Sequence, residues 1–252
     1  MDEVELQAGP YRPVHRVGDA VRRKASWWTP AVHDLLRHLN DIGFALAPTP
    51  LGIDEQGREI LSYIEGDSGR TTWPLIVDDE GLASFAIALR DYHRAVAGYR
   101  PPPDADWAYG QQPMRPGDIV CHGDFGAWNL VWRDGRPVGI VDWDLAYPGP
   151  PRDDVAYALE FSAPFRDDEQ AITWQGFTEP PDRRHRIAVF ADAYGISTDG
   201  LVDAVIERQW LTARHTRILK ARGLVAPWTT TESVLGNDDH ARWSDEHRHL
   251  FA

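Results

Sequence analysis

The residues whose types and spacing could do chemistry lie in the stretch VCHGDFGAWNLVWRDGRPVGIVDWD, from Val120 to Asp144. His122, Gly123 and Asp124 are followed by Asn129, five positions past the aspartate, and Asp142 stands near the end. This HxDxxxxN spacing is that of loops that move phosphoryl groups from a nucleotide. Such a transfer is driven by positioning and by neutralising charge on the phosphate oxygens. Oxygen ligands hold Mg²⁺ for that purpose, which makes Asp142 the expected charged ligand and Asn129 a neutral second one. Asp124 is expected to orient an acceptor hydroxyl and receive its proton. His122 is expected to brace the loop rather than move protons.

A hairpin has to bring these groups together. Leu130 to Arg133 and Val138 to Val141 flank Asp134-Gly135, a pair that readily takes the positive φ angles of a two-residue turn. If Arg133 faces Arg136, Asn129 lies opposite Ile140 and Asp142 is offset by two residues, roughly 7 Å along the strand. A single divalent ion then reaches both. Asp144 has two readings, a further charge at the metal or a cap on the next turn.

HGDFGAWN followed by IVDWD resembles the aminoglycoside phosphotransferase family, relatives of protein kinases that phosphorylate small molecules. The likeness is strongest over residues 118–160 and continues more weakly through about 14–98. It implies an α+β, two-lobed, protein-kinase-like fold: a small antiparallel-sheet lobe, a mostly helical lobe, and a nucleotide between them. It also implies Asp124 as base, Asn129 and Asp142 as magnesium ligands, and ATP or GTP as phosphoryl donor. The RDDVA segment resembles the family's Asp-Leu-Ala, which implies that Asp154 braces the catalytic loop.

The rest of the chain supplies elements in the right order. VHRVGDAVRRKA alternates apolar and polar residues around Gly18-Asp19, the pattern of a hairpin. Thr29-Pro30 opens a helix whose Val32, Leu35, Leu36 and Leu39 share one face and which Gly43 stops. LGIDEQGREILSYIEGD reads as a second hairpin. A helix from about Asp79 to Gly98 carries Leu82, Phe85, Ala86, Leu89 and Val96 on one side, and the pattern from Ile187 onward is helical. The expected division falls near residue 66, with 1–66 a shortened nucleotide-binding lobe lacking one early strand and 67–252 the catalytic and acceptor-binding lobe.

A kinase-like site ordinarily holds nucleotide phosphates with a strand lysine paired to a helix glutamate. The matching strand here reads AVRRKA, in which Arg22 best fits the family's VLRRP-like strands, with Arg23 and Lys24 as alternatives because strand side chains alternate. The helix offers His33 or Asp34 in place of a glutamate. Gly9 stands alone where a glycine-rich loop is usual. Ser62, Tyr63 and Ile64 are the expected hinge that meets the base. His93 and Cys121 read as packed groups, and Trp174, Trp210, Trp228 and Trp243 as core with an amine cradle as the alternative.

Bulk properties narrow the partners. A net charge of −13 over 252 residues opposes binding to nucleic acid and leaves a cationic small molecule among the acceptors considered. One cysteine, no basic-then-apolar leader and no apolar run near 20 residues point to the cytoplasm, with no membrane contact. The sequence is silent on oligomeric state. The expected activity is transfer of a γ-phosphoryl group to a hydroxyl of an aminoglycoside, amino alcohol or sugar. The rival is an inactive kinase-like binding module, raised by the missing lysine and helix glutamate.

Overall fold

The computed structural model describes residues 3–7, 13–224, 226 and 231–251. Its first layer is an antiparallel sheet of β1 (Glu3–Gln7), β2 (Val14–Val17), β3 (Ala20–Lys24), β4 (Pro50–Ile53) and β5 (Arg58–Ser62), in the order β1-β2-β3-β5-β4. Strand β1 overturns the expectation that an early strand is missing: Glu3 faces Val17 and Glu5 faces His15, so a polar, weakly β-like segment is held by pairing with β2. Gly9 lies outside the described residues. Helix α1 (Thr29–Asp41) follows β3 and turns Val32, Leu35, Leu36 and Leu39 inward, each no more than 1% exposed. Burial of such side chains stabilises by about 1.5–3 kcal/mol each, and it is this face that fixes α1 beside the sheet.

The chain leaves β5 through Tyr63 to Gly66 and is tied at once to the second layer. Asp67 and Trp132 exchange backbone hydrogen bonds of 2.9 and 2.8 Å. Gly66 permits this approach, since its φ is +148° and a Cβ there would lie 2.5 Å from the Trp132 carbonyl oxygen. Helix α2 (Asp79–Val96) then begins under an Asp78 cap that accepts from the Gly81 N–H. Its Leu82, Phe85, Leu89 and Tyr92 are essentially fully buried, and Tyr92 donates from its hydroxyl to the Val120 carbonyl at 2.5 Å. The floor beneath the HGD loop is therefore a packed helix.

Two short pairings frame that loop. β6 (Ile119–Cys121) pairs with β9 (Tyr147–Gly149), and between them β7 (Leu130–Arg133) pairs with β8 (Arg136–Ile140). Asp134 and Gly135 both have positive φ, +52° and +71°, as the two-residue turn requires. The remainder is helical: α3 (Pro151–Ser162), α4 (Asp168–Gln175), α5 (Arg183–Tyr194), α6 (Leu201–Ala221) and α7 (Thr231–Glu246). The fold is thus α+β, with a small antiparallel sheet preceding a mostly helical body. No helix among the described residues is long and apolar enough to cross a membrane.

Two expectations about individual elements change. The β7–β8 register slips at a bulge between Val131 and Trp132, so Leu130 faces Ile140, and Asn129 meets Val141, whose N–H donates to the Asn129 carbonyl at 2.8 Å. An extra residue on β8 brings Asp142 one position closer to Asn129 than an unbroken ladder would. Of the tryptophans expected in the core, Trp174 and Trp210 are 58% and 42% exposed. Trp243 packs partly against the core, and Trp228 lies outside the described residues. The large buried indoles are Trp28, Trp107, Trp132 and Trp143.

Candidate active site

The loop after β6 is shaped by glycine and held by an aspartate. Gly123 has φ +82°, and a Cβ there would lie 2.0 Å from the Leu145 carbonyl oxygen, so a side chain cannot be accommodated. Asp154, on the first turn of α3 and fully buried, accepts from the His122 N–H at 2.6 Å and the Gly123 N–H at 2.8 Å. His93 on α2 reaches the same carboxylate at 3.2 Å and Tyr194 at 2.7 Å. Burial alone would raise the Asp154 pKa, but His93, His122 and the Gly123 N–H hold it below the ordinary carboxylate value. His122 spans the site. Its Nε2 lies 3.0 Å from the Val141 carbonyl, which can only accept, and its Nδ1 accepts from the Asp124 N–H at 3.3 Å. Burial lowers its pKa, so the ring is a neutral brace.

Asp124 is presented by this loop with both carboxylate oxygens engaged. Tyr157 donates to Oδ1, and the Asn129 side-chain amide donates to Oδ2 at 2.8 Å and to the Asp124 carbonyl at 2.9 Å. Burial pushes the Asp124 pKa up to about 7, against the lowering effect of Tyr157, with Asp142 adding to the rise and Asn129 and Arg208 opposing it. Arg208 of α6 donates to the Gly123 carbonyl at 2.9 Å and sits 4.7 Å over the Tyr157 ring. Tyr157 lies one helical turn beyond Asp154, a spacing that places both on the loop-facing side of α3. That spacing is the signal by which sequence reasoning could have found it; for Arg208, far along the chain, no such signal exists.

The structure brings Asp142 to the same end. It follows β8 in a left-handed conformation, φ +60° and ψ +60°, and its side chain is 45% exposed. A non-glycine residue held there is uncommon and costs of the order of 1–3 kcal/mol, which the surrounding bonds must offset. Arg23 provides one: its Nη1 donates to Asp142 Oδ1 at 2.9 Å, its Nη2 to Asp144 Oδ1 at 2.8 Å, and its Nε to Glu59 Oε1 at 2.6 Å. Glu59 on β5 also meets His33 of α1 at 3.1 Å, and Asp144 accepts from the Trp28 indole at 3.1 Å. Burial alone would lower the Arg23 pKa, but Asp144, Glu59 and Asp142 together raise it above the ordinary guanidinium value.

This corrects the assignment of the basic residue on β3. Arg22 faces Asp54 at 4.0 Å on the outer side of the sheet, because neighbouring residues on a strand point opposite ways. Arg23 is the one turned toward Asp142. The acidic partner is likewise not on α1. Glu59 comes from the strand paired with β3, register Arg23 to Glu59, and His33 reaches it from the helix, while Asp34 is bonded to Tyr99. Replacing Arg23 by lysine keeps one charge but cannot span three carboxylates. A loss of about 1–3 kcal/mol is expected, read as a lower urea midpoint with unchanged m-value.

The hinge segment is only partly free to meet a base. The Ser62 N–H donates to the Thr49 carbonyl at 2.9 Å and the Tyr63 N–H to the Asp19 carbonyl at 2.8 Å, because the sheet pairing continues past β5. Arg16 covers the Tyr63 ring at 3.8 Å. Ile64 packs over β8, where a Cβ at Gly139 would lie 2.7 Å from its Cδ1. The base-binding expectation for Ser62 and Tyr63 therefore loses their N–H groups.

The donor set at the loop end suits a small hard cation. Asn129 commits its amide N–H to Asp124, which turns its carbonyl oxygen the other way, and the half-exposed Asp142 carboxylate stands one strand position away. No cluster of three His, Cys, Asp or Glu that could hold a metal occurs among the described residues. Two protein oxygens completed by water and phosphate is the usual manner of binding Mg²⁺, and Asn129 with Asp142 fit it.

Comparison with known proteins agrees with this geometry. The family model described as the phosphotransferase enzyme family matches residues 105–188, the segment holding β6 through α4 and the first half of α5. A trifolitoxin immunity protein of Rhizobium leguminosarum bv. trifolii is 37% identical over 214 residues, covering 81% of this chain and 80% of the relative. Among solved structures, an amicoumacin kinase in complex with AMP-PNP, Ca²⁺ and Ami superposes with a TM-score of 0.61 at 12% identity, covering 97% of this chain and 88% of its own. An ADP-bound aminoglycoside phosphotransferase gives 0.62 at 10% identity, covering 97% and 94%. An ethanolamine kinase of Plasmodium vivax gives 0.63 at 10% identity, covering 94% and 81%. At these identities the structures establish a shared kinase-like fold.

Proposed function

We propose that this chain, which belongs to the phosphotransferase enzyme family, transfers the γ-phosphoryl group of ATP or GTP to a hydroxyl of a small molecule. The observation that carries the reading is the meeting of Asp124, Asn129 and Asp142 at one loop end, with a buried arginine, Arg23, bonded to Asp142. In this reading residues 1–66 are the nucleotide-facing lobe and 67–252 the catalytic and acceptor-binding lobe. Arg23, whose three nitrogens are held by Glu59, Asp142 and Asp144, supplies positive charge toward the nucleotide phosphates in the role a lysine ordinarily fills, while Glu59 and His33 fix its direction. Asp124 accepts the proton of the acceptor hydroxyl, and Tyr157 and Asn129 hold its two oxygens in place. Asn129 and Asp142 would hold Mg²⁺, which when bound supplies positive charge against the phosphate oxygens. His122 stays neutral and keeps the loop against Val141.

The kinship with a trifolitoxin immunity protein favours an acceptor that is a toxin, disarmed when a hydroxyl on it is phosphorylated. A second reading, sequestration of such a molecule without turnover, is favoured by the engagement of Asp142 with Arg23, which leaves a less open carboxylate than a free ligand would be. Thermal melting with AMP-PNP, with and without magnesium, separates the two. The phosphotransferase reading expects a rise in Tm of several degrees that depends on magnesium and is lost in Asp142→Ala; no rise on adding AMP-PNP and magnesium together sinks it.

A further inference from the structure

The rings that fill the core, among them Trp28, Trp132, Trp143 and Phe125, are each no more than 1% exposed. A second group of rings keeps part of its surface in water: Trp73, Trp128, Tyr157 and Phe161 are all only partly buried. Trp73 and Trp128 stack with centroids 4.7 Å apart and planes 30° from parallel. Phe161 meets Trp128 edge-on at 4.8 Å and Tyr157 at 5.1 Å, and Trp128 lies 6.4 Å from Tyr157. The four form one wall, and two of its members belong to the site already described. Trp128 stands between Asp124 and Asn129 in the chain, and the Tyr157 hydroxyl donates to Asp124.

Specific contacts hold the wall in place. The Thr72 hydroxyl lies 2.8 Å from the Ala127 carbonyl, so the 3-10 segment Gly69–Ile76 that carries Trp73 is tied to the turn that carries Trp128. The Trp132 indole N–H donates to the same carbonyl at 3.1 Å. A Cβ at Gly126 would collide with the six-membered ring of Trp128, so the indole lies directly against the loop backbone. Beyond Trp73 the same segment meets the end of α4, where a Cβ at Gly176 would lie 3.3 Å from Pro74 Cγ, and its Arg70 covers the exposed Trp174 ring at 5.4 Å.

Charge decides what such a wall takes. The face of an aromatic ring attracts a cation, but guanidinium groups already fill that role here: Arg208 lies 4.7 Å over Tyr157 and Arg166 4.8 Å over Phe161, besides Arg70 over Trp174. Nearby carboxylates are engaged as well. Asp142 and Asp144 bond Arg23, and Glu160, one turn beyond Tyr157, is buried beside the charges of Arg166 and Arg208. An ammonium group at the wall would therefore meet three guanidinium charges. Among the described residues no cation is seated over Trp73 or Trp128, and this pair offers an apolar face to an uncharged ring. We propose that Trp73 and Trp128 form the subsite that stacks on a planar, uncharged group of the acceptor while the acceptor hydroxyl reaches Asp124. The inference rests on the phosphotransferase reading and narrows it: aromatic or conjugated alcohols are favoured, and polycationic acceptors are opposed.

The test is isothermal titration of the full chain with 2-(2-naphthyl)ethanol, with its fully saturated decahydronaphthyl counterpart and with choline, which share a hydroxyethyl arm and differ in the group that meets the wall. Wild type is expected to bind the naphthyl alcohol about 2–12-fold more tightly than the saturated one, the worth of ring stacking beyond buried area, and more tightly than choline. Trp73→Leu and Trp128→Leu are each expected to bring the naphthyl-to-saturated ratio close to one, while Trp210→Ala, which removes an exposed indole outside the wall, keeps it. Equal affinity for the two alcohols, tighter binding of choline, no binding of the naphthyl alcohol, an undiminished ratio in both leucine variants, or a ratio lost in Trp210→Ala each overturns the proposal. Thermal melting with magnesium and AMP-PNP is the second arm. Folded Trp73→Leu is expected to keep the wild-type shift; its loss would place the nucleotide base on the wall and overturn the proposal. The wild-type comparison of alcohols decides the matter if a leucine variant fails to fold. Absence of the magnesium-nucleotide shift in wild type sinks the phosphotransferase reading instead, and the naphthyl-to-saturated ratio still decides the subsite.

Discussion

Asp124→Asn is expected to lower acceptor-dependent nucleoside diphosphate release by about 10²–10⁴-fold while the chain stays folded. The asparagine has the same shape but cannot take the hydroxyl proton, and it places an amide N–H against either Tyr157 or Asn129, both of which already donate to the native carboxylate. The accompanying pH behaviour has a definite sign. With the Asp124 pKa at about 7, wild-type activity should fall as pH drops below that value, because the base becomes protonated. Stability in the absence of metal and nucleotide runs the other way. An acid whose folded pKa is raised binds more protons folded than unfolded, so its ionisation removes stability as pH climbs from about 4 to about 7. Asp124→Asn lacks that loss. Its Tm relative to wild type should therefore be higher at pH 8 than at pH 4, and a variant that keeps wild-type turnover would exclude Asp124 as the base.

The chemistry of this site is legible in the sequence where it depends on short spacing. Asp124 and Asn129 are joined by a loop and a single 3-10 turn, and the Asp134-Gly135 turn returns the chain toward them, so local rules suffice. What local rules cannot supply is the face of a strand and the identity of a distant partner. Arg22 and Arg23 are equivalent in sequence, and only the pairing of β3 with β5 decides that Arg23 points at Glu59. Glu59 replaces an expected helix glutamate because a strand partner directly opposite does the same electrostatic work. The bulge that moves Asn129 opposite Val141 falls between Pro137 and Gly139, residues that mark a bulge in a strand but do not by themselves fix the register on either side of it. Segment β1 carries only a five-residue alternation, EVELQ, whose Val4 and Leu6 are about half exposed, so pairing with β2 rather than burial makes it a strand. Arg208 is beyond the reach of local rules because its partner, the Gly123 carbonyl, lies 85 residues away on an element that no local pattern orders in space.

Asp154→Ala should destabilise the protein by about 3–5 kcal/mol and remove activity together with stability. One carboxylate holds the backbone N–H groups of His122 and Gly123 and the ring of His93, all buried. Its removal leaves two enclosed donors on the segment that presents Asp124 without their acceptor. Other contacts cannot take over this role, since Gly123 is already pressed against the Leu145 carbonyl on one side and its own carbonyl is held by Arg208. The acid limb of stability offers an independent check. The folded Asp154 pKa is depressed, so its contribution is fully present above the unfolded value near 4 and is lost as pH falls through the lower folded value. Urea midpoints measured from pH 5 downward should fall more steeply in wild type than in Asp154→Ala. Parallel lines would mean that the Asp154 carboxylate contributes no charge-dependent stability, and the loop would then be held by packing around Phe125 and Trp143 alone.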